Sequence, residues 1–330
     1  MIDKIIFLLY NKHILYRIKK QTTERQIIIM YVADMHSDSL LTVNSERGLL
    51  NNYNTSKTYP YIQAFAAYVP FRGRPADVRR AELMRLFNVY IYETDRLGIR
   101  RIDDVRGLCS ATDESACASV FTVEGGGGLF ADSDELLTLH KMGMRIMSLA
   151  WDTNELAAGA FDEDDTGLTK EGKRMVRKCA ELGITIDVSH LSDRSFWQLC
   201  DAYPLPIIAT HSNLRDVCGS KRNLTLEEAR EIALRGGVIG LNLYPDFIRN
   251  GEAKLEDILF HVDYALEKLG ERALGFGFDI DGTNGKYPIG IDEGSSIHDR
   301  VIEMLLKHYS ASVVEKIAGE NVIDFYKGIF

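Results

Sequence analysis

The sequence predicts an α/β protein with the closed (β/α)8 architecture of a TIM-type barrel. Eight short runs rich in β-branched and apolar residues alternate with longer segments of helical periodicity along the 330-residue chain. Some helical segments have recognisable caps, and polar residues stand at the ends of the apolar runs. Strands that alternate with helices of 10–15 residues imply βαβ units and a parallel sheet. Eight repeats favour a closed barrel over an open doubly wound sheet.

The first strand is predicted in VADMHSDSL, at residues 32–40. Because alternate residues of a strand point the same way, Asp34, His36 and Asp38 are expected to share one face. Taken alone, this pattern is also typical of a polar strand end or a helix N-cap. The other seven strands are predicted at 61–69, 119–125, 145–151, 184–190, 206–211, 237–243 and 273–279.

Three predicted helices have a readable end or face. Thr225 is expected to cap one of them, with Glu228 completing a capping box and Gly236 stopping the helix. A second helix occupies residues 168–183 and ends at Gly183, and a third occupies residues 74–98. The apolar faces of these two helices comprise Leu168, Met175, Val176, Cys179 and Leu182 in one, and Leu83, Leu86, Val89 and Tyr90 in the other.

Residues 1–29 are predicted to stand apart from the barrel. They are basic and hold only the six-residue apolar run IIFLLY, which is too short for the core of a signal peptide, and no small-residue cleavage site follows. Since Met30 directly precedes the first strand, this segment is expected to be a peripheral extension or a product of start-codon choice. Residues 30–330 are then one catalytic domain, with residues 44–60 as a long loop over the carboxyl face of the barrel.

The composition indicates what kind of partner the protein binds. Hydrophobic residues make up 45% of the chain and charged residues 26%, which is typical of a globular protein without a membrane span. A formal net charge of −9 and a pI near 5.5 argue against a nucleic-acid surface, so a small molecule is the expected partner. Five cysteines without C-x-x-C spacing fit reduced thiols and a cytoplasmic location.

The polar residues at the predicted strand ends are the strongest functional signal. A single histidine in such a place is more often a hydrogen-bonded core residue than a ligand. In a barrel, however, all strand ends meet at one rim. Three histidines with Asp and Glu suit Zn²⁺, and five ligands suggest two ions with one bridging carboxylate, as in binuclear hydrolases. The residues concerned are His36, Asp38, Glu124, Trp151, Asp152, His190, His211, Tyr244 and Asp279.

Seven ordered blocks give the chain a specific resemblance. The blocks are DMHSDSL, FTVEGGGGL, LHKMGMRIMSLAWDTNELAAG, GLTKEGKRMVRKCAELGITIDVSHLSD, THSNLRDVCGSKRNLT, GGVIGLNLYPDFI and GFGFDIDG. In these blocks the chain resembles the membrane (renal-type) dipeptidase family, including its bacterial members, from about residue 31 to the C-terminus. The resemblance implies a (β/α)8 metallopeptidase that binds two zinc ions and cleaves dipeptides, with tolerance of a D-residue at the C-terminal position.

The resemblance also implies a role for each matching residue. His36 and Asp38 correspond to ligands of one zinc, and His190 and His211 to ligands of the other. Glu124 corresponds to the bridging ligand. The remaining matches are Arg222 for the arginine that holds the substrate carboxylate, Tyr244 for a tyrosine that lines its pocket, and Asp279 for the acidic residue that handles protons.

One position departs from the family pattern. Where mammalian members have a histidine that helps to stabilise the tetrahedral intermediate, this chain has Trp151, with Asn154 three residues later. Either Asn154 or another donor replaces the histidine, or stabilisation falls mainly to the zinc ions. Both residues are therefore candidates for substrate contact.

Other functions fit the same pattern less well. A binuclear amidohydrolase that opens a lactam or lactone, or cleaves an N-acyl amino acid, would use the same scaffold, because fold does not fix substrate. A barrel that binds peptide or metal without turnover would not need the full ligand set and Asp279. A purely structural subunit has only the general tendency of such barrels to form homodimers in its favour.

Overall fold

Seven short parallel strands form one curled sheet at the centre of the protein. The computed structural model describes residues 9–10, 13–14, 31–43, 59–70, 74–113, 117–291 and 296–330. Along the sheet the strands follow the order β5-β4-β3-β2-β1-β7-β6. Their bounds are Val32–Asp34 (β1), Tyr61–Tyr68 (β2), Cys117–Glu124 (β3), Ile146–Ser148 (β4), Thr185–Asp187 (β5), Ile239–Leu241 (β6) and Leu274–Phe276 (β7).

Residues 206–211 close the sheet into a barrel. Ile208 forms a parallel bridge with Asp187 of β5, and Ala209 forms one with Ile239 of β6. The backbone N–H of Val188 donates to Ile208 at 2.8 Å, and that of Gly240 donates to Ala209 at 2.8 Å. These two contacts join the two ends of the strand order. The predicted (β/α)8 fold is confirmed, with the sixth predicted strand reduced to a bridging segment.

The helices cover the outside of the barrel. The predicted capping box of Thr225 and Glu228 is present, and the helix before Gly183 ends at that residue in the left-handed region, at a φ of 69°. The bounds are Ser39–Thr42, Ala76–Leu97, Val105–Asp113, Asp134–Lys141, Lys170–Leu182, Asp193–Ala202, Leu226–Leu234, Pro245–Ile248, Ile258–Lys268, Ile297–His308, Ala311–Glu315 and Asn321–Ile329, with a 3₁₀ turn at Leu255–Asp257 and a π-turn at Lys316–Glu320. Within the described residues, no helix has the length and apolar character needed to cross a membrane.

Small elements lie beside the barrel. Arg100–Arg101 pairs parallel with Ala118 and Ser119 near the start of β3. Near the N-terminus, Leu9–Tyr10 pairs antiparallel with His13–Ile14. The remainder of the predicted extension at 1–29 and almost all of the predicted loop at 44–60 lie outside the described residues. The boundary at residue 30 therefore stays a prediction.

Alternation along the strands divides the core into two parts. On β2, Tyr61 and Phe65 belong to the cluster that includes the buried face of helix Ala76–Leu97. Ile62 and Ala64 belong to a second cluster with Ala33 of β1. The period of two residues therefore fills the barrel with one set of side chains and packs the helices on the other set. Strand ends are thereby left free to carry polar groups at the rim.

The buried capping carboxyl of Glu228 predicts a pH-dependent stability. It accepts the Thr225 N–H at 2.9 Å, but burial raises its pKa to about 7. A folded-state pKa above the unfolded value means that folding favours the proton, so this contribution is lost as the pH rises from about 4.5 through 7. Glu228→Gln keeps the acceptor, and we expect it to raise the free energy of unfolding at pH 8 by about 1–3 kcal/mol.

Urea unfolding at pH 8 and pH 5 would measure this effect. The difference between Glu228→Gln and wild type should shrink at the lower pH, where wild-type Glu228 is protonated. Glu227→Gln alters an exposed neighbour on the same turn and serves as the matched control. A stabilisation of equal size at both pH values would contradict the explanation.

Candidate active site

The carboxyl ends of the strands bring six buried acidic and imidazole side chains together. His36 and Asp38 follow β1, and Glu124 is the last residue of β3. His190 follows β5, His211 ends the bridging segment, and Asp279 follows β7. All six are at most 9% exposed. They correspond to the five ligand positions and the proton-handling position expected from the sequence.

Glu124 lies between two groups of histidines. Its Oε2 is 3.7 Å from His36 Nε2. Its Oε1 is 3.0 Å from His190 Nε2 and 3.3 Å from His211 Nε2. The carboxylate therefore turns one oxygen toward each group, which is the geometry that a bridging ligand requires.

Two further carboxylates of the cluster, those of Asp38 and Asp279, lie near His36. Its Nε2 is 3.8 Å from Asp38 Oδ1 and 3.8 Å from Asp279 Oδ1. The other oxygen of Asp279 accepts a hydrogen bond from Asn242 Nδ2 at 3.2 Å. Asn242 thus turns Asp279 so that one carboxylate oxygen faces the cluster.

Several nitrogen and oxygen atoms of the six cluster residues make no hydrogen bond within the protein. Among the described residues, His36 Nε2, Asp38 Oδ1 and Glu124 Oε1 are buried without a hydrogen bond. Buried polar atoms without partners are costly and call for an ion, water or ligand. His36, Glu124 and His211 can place one donor atom each within 4.8 Å of one another, and so can His36, Asp38 and Asp279. This set of nitrogen and oxygen donors fits two adjacent divalent metal ions.

The pKa shifts of the cluster residues also fit a site for metal ions. Burial, and then the positive charge of Arg222, lowers the pKa of His36 to about 3. Burial also lowers the pKa values of His190 and His211, so the imidazoles are neutral as metal ligation requires. Burial and the neighbouring carboxylates raise the pKa values of Asp38 and Glu124. A cation between them would offset that rise, because it favours the ionised form of both carboxylates.

Two of these residues have a strained backbone. His190 has a φ of 71° and Asp279 a φ of 59°, in the left-handed region that non-glycine residues rarely adopt. Such conformations cost roughly 1–3 kcal/mol and concentrate at functional sites. The strain therefore sets these two strand ends apart from ordinary turns.

Arg222 lies beneath the cluster and is only 3% exposed. Its Nη1 donates to Ser212 Oγ at 2.7 Å and its Nη2 donates to the carbonyl of His211 at 2.8 Å. Its Nε is buried without a partner among the described residues. The guanidinium is thus fixed in place and keeps an unused donor, as expected of a group that holds an anionic ligand.

Aromatic side chains form the rim of the site. Trp151 is 42% exposed, and its ring centroid lies 5.6 Å from that of His190 and 5.3 Å from that of Tyr68. Tyr244 packs against Phe247 with centroids 4.8 Å apart, and Phe247 lies 5.7 Å from the guanidinium of Arg222. Trp151 therefore lies next to His190 of the cluster, whereas Tyr244 is linked to Arg222 through Phe247.

Asn154 has a different environment from the one that the sequence suggested. Its Nδ2 donates to the carbonyl of Leu149 at 2.9 Å. Its Oδ1 accepts from the backbone N–H groups of Leu156 and Ala157, at 2.8 and 3.3 Å. Both ends of the amide therefore shape the loop after β4, and its contact with substrate stays a prediction.

Sequence reasoning named Asp34 without giving it a role, and it missed the other polar residues behind the cluster. Asp34 accepts the backbone N–H of His36 at 3.1 Å and pairs with His298 Nε2 at 2.8 Å. Asp187 and Thr210 form a second buried contact behind His211. Asp34, Asp187 and Thr210 all stand in otherwise apolar strand segments, and that interruption was the available signal. His298 carries no such signal in the sequence.

Comparisons with known proteins agree on one family. The family model described as membrane dipeptidase, peptidase family M19, matches residues 31–328. A Klebsiella pneumoniae protein described only by its place in the pqqA 5′ region is 26% identical over 276 residues, which are 78% of this chain and 98% of that protein. Dipeptidase tcpJ of Claviceps purpurea is 28% identical over 73% of this chain, which spans 56% of that enzyme.

A solved structure shares the fold. The metallopeptidase from Rhodobacter sphaeroides, solved with a phosphinate mimic of the dipeptide L-Ala-D-Ala, superposes with a TM-score of 0.80. The alignment covers 92% of this chain and all of that one, at 23% identity. At this level of sequence identity, the structural match supports the barrel architecture alone.

Proposed function

The chain belongs to the membrane dipeptidase family, peptidase family M19, and on that premise we propose that it is a zinc-dependent dipeptidase. Members of this family are metallopeptidases that hydrolyse peptide bonds. The finer proposal is that the substrates are free dipeptides, with a D-residue accepted at the C-terminal position. The observation that carries it is the position of Glu124 between His36 on one side and His190 and His211 on the other.

The proposed metal centre holds two zinc ions. His36 and Asp38 would hold one, His190 and His211 the other, and Glu124 would contact both. Bound there, the ions would lower the pKa of a water molecule toward about 7 and polarise the carbonyl group that is attacked. The unpartnered atoms of His36, Asp38 and Glu124 support this assignment.

The chain's own residues account for substrate selection. Arg222 holds the free carboxylate of the dipeptide, because a guanidinium can donate two parallel hydrogen bonds to a carboxylate and lysine cannot. Tyr244 and Phe247 line the approach to that carboxylate. Trp151, on the other side of the rim, contacts the substrate through an apolar face. A buried arginine at the floor of the site favours short substrates with a free C-terminus.

Asp279 moves the proton. Asn242 holds its Oδ2, so Oδ1 faces the cluster and can take a proton from the attacking water. The same carboxyl then gives that proton to the nitrogen of the leaving amine. Water adds its oxygen to the carbonyl carbon, the C–N bond breaks, and two free amino acids result.

A panel of dipeptides would test the proposal. Substrates with an L- or D-residue at the second position, and with a free or amidated C-terminus, would be incubated with zinc-loaded protein before and after chelation. Chelator-sensitive cleavage restricted to free carboxylates is the expected result. No turnover by protein that carries two zinc ions would overturn it in favour of a lactam, lactone or N-acyl amino acid as substrate.

Replacement of Arg222 should uncouple metal binding from substrate binding. Losing one partner of a buried, charged hydrogen-bonded pair costs about 2–5 kcal/mol, so we expect kcat/KM of Arg222→Met to fall at least about 30-fold for free dipeptides. Arg222→Lys should fall between this variant and wild type. The measurement is steady-state kinetics with metal content determined in parallel.

The control for this prediction is Arg215→Lys in the same loop. Arg215 pairs with Asp193, and its Nε donates to the carbonyl of Asn223. The Arg215→Lys variant should keep kcat/KM within a few-fold of the wild-type value. A loss of metal from Arg222→Met in proportion to its loss of activity would contradict a role in holding the carboxylate.

A cytoplasmic location is part of the same proposal. Cys179, Cys200 and Cys218 are free thiols, as expected for a reducing compartment. Fractionation of the native cells with detection of the protein would test this.

A further inference from the structure

Behind His211 lies a buried aspartate that the proposed mechanism does not use. Asp187, the last residue of β5, is 3% exposed. Its Oδ1 accepts the backbone N–H groups of Ser189 and Thr210, both at 2.9 Å. Its Oδ2 is 2.6 Å from the hydroxyl oxygen of Thr210. One carboxylate therefore fixes both the backbone and the side chain of Thr210.

The hydroxyl of Thr210 joins this carboxylate to two imidazoles. Its Oγ1 is 2.8 Å from His211 Nδ1 and 3.4 Å from His36 Nδ1. A hydroxyl has one proton to donate and two lone pairs to accept with. An ionised Asp187 can only accept, so it takes the hydroxyl proton at the shortest contact. The lone pairs of Oγ1 then face the two Nδ1 atoms.

That arrangement fixes which imidazole nitrogen carries the proton. Because His211 Nδ1 faces a lone pair of Thr210 Oγ1, Nδ1 must be the protonated nitrogen of the ring. Nε2 then keeps its own lone pair. The same holds at the longer contact for His36. These Nε2 atoms point at Glu124, at 3.3 Å from Oε1 for His211 and 3.7 Å from Oε2 for His36. The two rings stack with centroids 3.6 Å apart, so one hydroxyl serves both.

The barrel holds Thr210 tightly enough for this purpose. A Cβ at Gly240 would lie 2.0 Å from the carbonyl oxygen of Thr210, and one at Gly277 would lie 1.8 Å from it. Only glycine at these two positions lets β6 and the end of β7 approach so closely. Thr210 is 1% exposed, so bulk solvent does not reach its contacts.

We propose that Asp187 and Thr210 are positioning residues that fix His211, and more weakly His36, in the tautomer whose free Nε2 can bind metal. The inference rests on the proposed function, since it assigns these residues to the metal centre. Hydrogen bonds to the far side of a ligating histidine typically change metal affinity by about 10- to 100-fold. The role differs from simple satisfaction of buried polar groups because it dictates the tautomer of a ligand.

Three variants separate these roles. Thr210→Val removes the hydroxyl with little change in volume, whereas Thr210→Ser keeps it. Asp187→Asn reverses the direction of these hydrogen bonds. The amide nitrogen of the new asparagine donates to Thr210 Oγ1 and turns the hydroxyl proton toward His211 Nδ1. That change would place the imidazole proton on Nε2. The matched control is Thr185→Val, the same exchange at a buried residue at the start of β5.

The first measurement is zinc affinity of the full chain, by competition with a chelator. We expect Thr210→Val to bind zinc about 10- to 100-fold more weakly, Asp187→Asn at least as weakly, and Thr210→Ser and Thr185→Val like wild type. Wild-type affinity in Thr210→Val would overturn the proposal. A loss of similar size in Thr185→Val would also overturn it, because it would show a general effect of a buried methyl group.

The second measurement does not depend on folding of the variants or on turnover. Nitrogen-15 NMR of histidine-labelled wild type, with and without zinc, reports which ring nitrogen of His211 is protonated. The Nδ1-protonated form is expected in both states, and an Nε2-protonated His211 in the metal-free protein would overturn the proposal. Failure of the proposed function would appear separately, as tight zinc binding without cleavage of any dipeptide.

Discussion

Replacing Glu124 by glutamine is expected to weaken metal binding at both positions and to abolish most of the activity. An amide offers one oxygen and one NH2 group, and the NH2 group cannot bind a metal. Whichever way the amide turns, either the side of His36 or the side of His190 and His211 loses its ligand. The negative charge shared by the two positions is lost as well. We expect the metal content to fall from about two ions to one or fewer.

The loss of activity should be large because each ion contributes to the chemical step. Lewis-acid stabilisation is worth several kcal/mol, so kcat/KM is expected to fall by roughly 10³-fold or more. Metal analysis of dialysed protein and steady-state kinetics on one free dipeptide would measure both effects.

His36→Ala is the comparison that makes the Glu124 prediction specific. His36 is near only one oxygen of Glu124, at 3.7 Å from Oε2, and near Asp38 and Asp279. Its loss should empty chiefly one position and leave the one held by His190 and His211. If both variants lose the same amount of metal at both positions, Glu124 does not bridge.

The positions of the cluster residues follow from rules that act along the chain. His36, Glu124 and His211 each end an apolar strand segment, and parallel strands bring such ends to one rim regardless of the details of packing. Helix boundaries were similarly accessible, because capping by Thr225 and termination at Gly183 depend on a few neighbouring residues. Local signals combined with barrel topology thus predict which side chains meet.

What the sequence could not predict depends on contacts between distant segments. Asp34 and His298 are separated by 264 positions, and nothing local to His298 indicates that it supports the strand that carries His36. Asn154 is adjacent to the site in sequence, yet its amide is used by its own loop. Most of the strands are also shorter than predicted, because residues such as His190 and Asp279 leave the extended conformation at the strand ends.

Close packing around Asp279 explains why its orientation is fixed. A Cβ at Gly282 would lie 2.0 Å from Asp279 Oδ1 and 2.6 Å from Asp38 Oδ2, so only glycine allows this turn to fold against both carboxylates. Asn242 holds the remaining oxygen at 3.2 Å. The carboxyl is therefore aimed before substrate arrives, which is the requirement for efficient proton transfer.

Asp279→Asn is expected to retain metal and lose turnover. Asparagine keeps the shape of the side chain and an oxygen that Asn242 can still approach, but it cannot accept and return a proton at neutral pH. General acid–base catalysis contributes about 10²- to 10⁴-fold, so kcat should fall within that range while zinc content stays near two per chain. Because the proton is moved after binding, KM should change much less than kcat. The pH profile of kcat/KM should also lose the limb that reports this carboxyl.

Asp281→Asn is the matched control, because it removes one charge from the same turn without removing the carboxyl that faces His36. Its kcat should fall less than about tenfold, the range expected of a surface or rim charge. If Asp279→Asn instead lost zinc in proportion to activity, Asp279 would be a metal ligand and the proton would have to move by another route. If it kept both zinc and wild-type kcat, the carboxyl would have no part in the chemical step. Metal content and kcat measured on the same preparation therefore distinguish a proton carrier from a ligand and from a bystander.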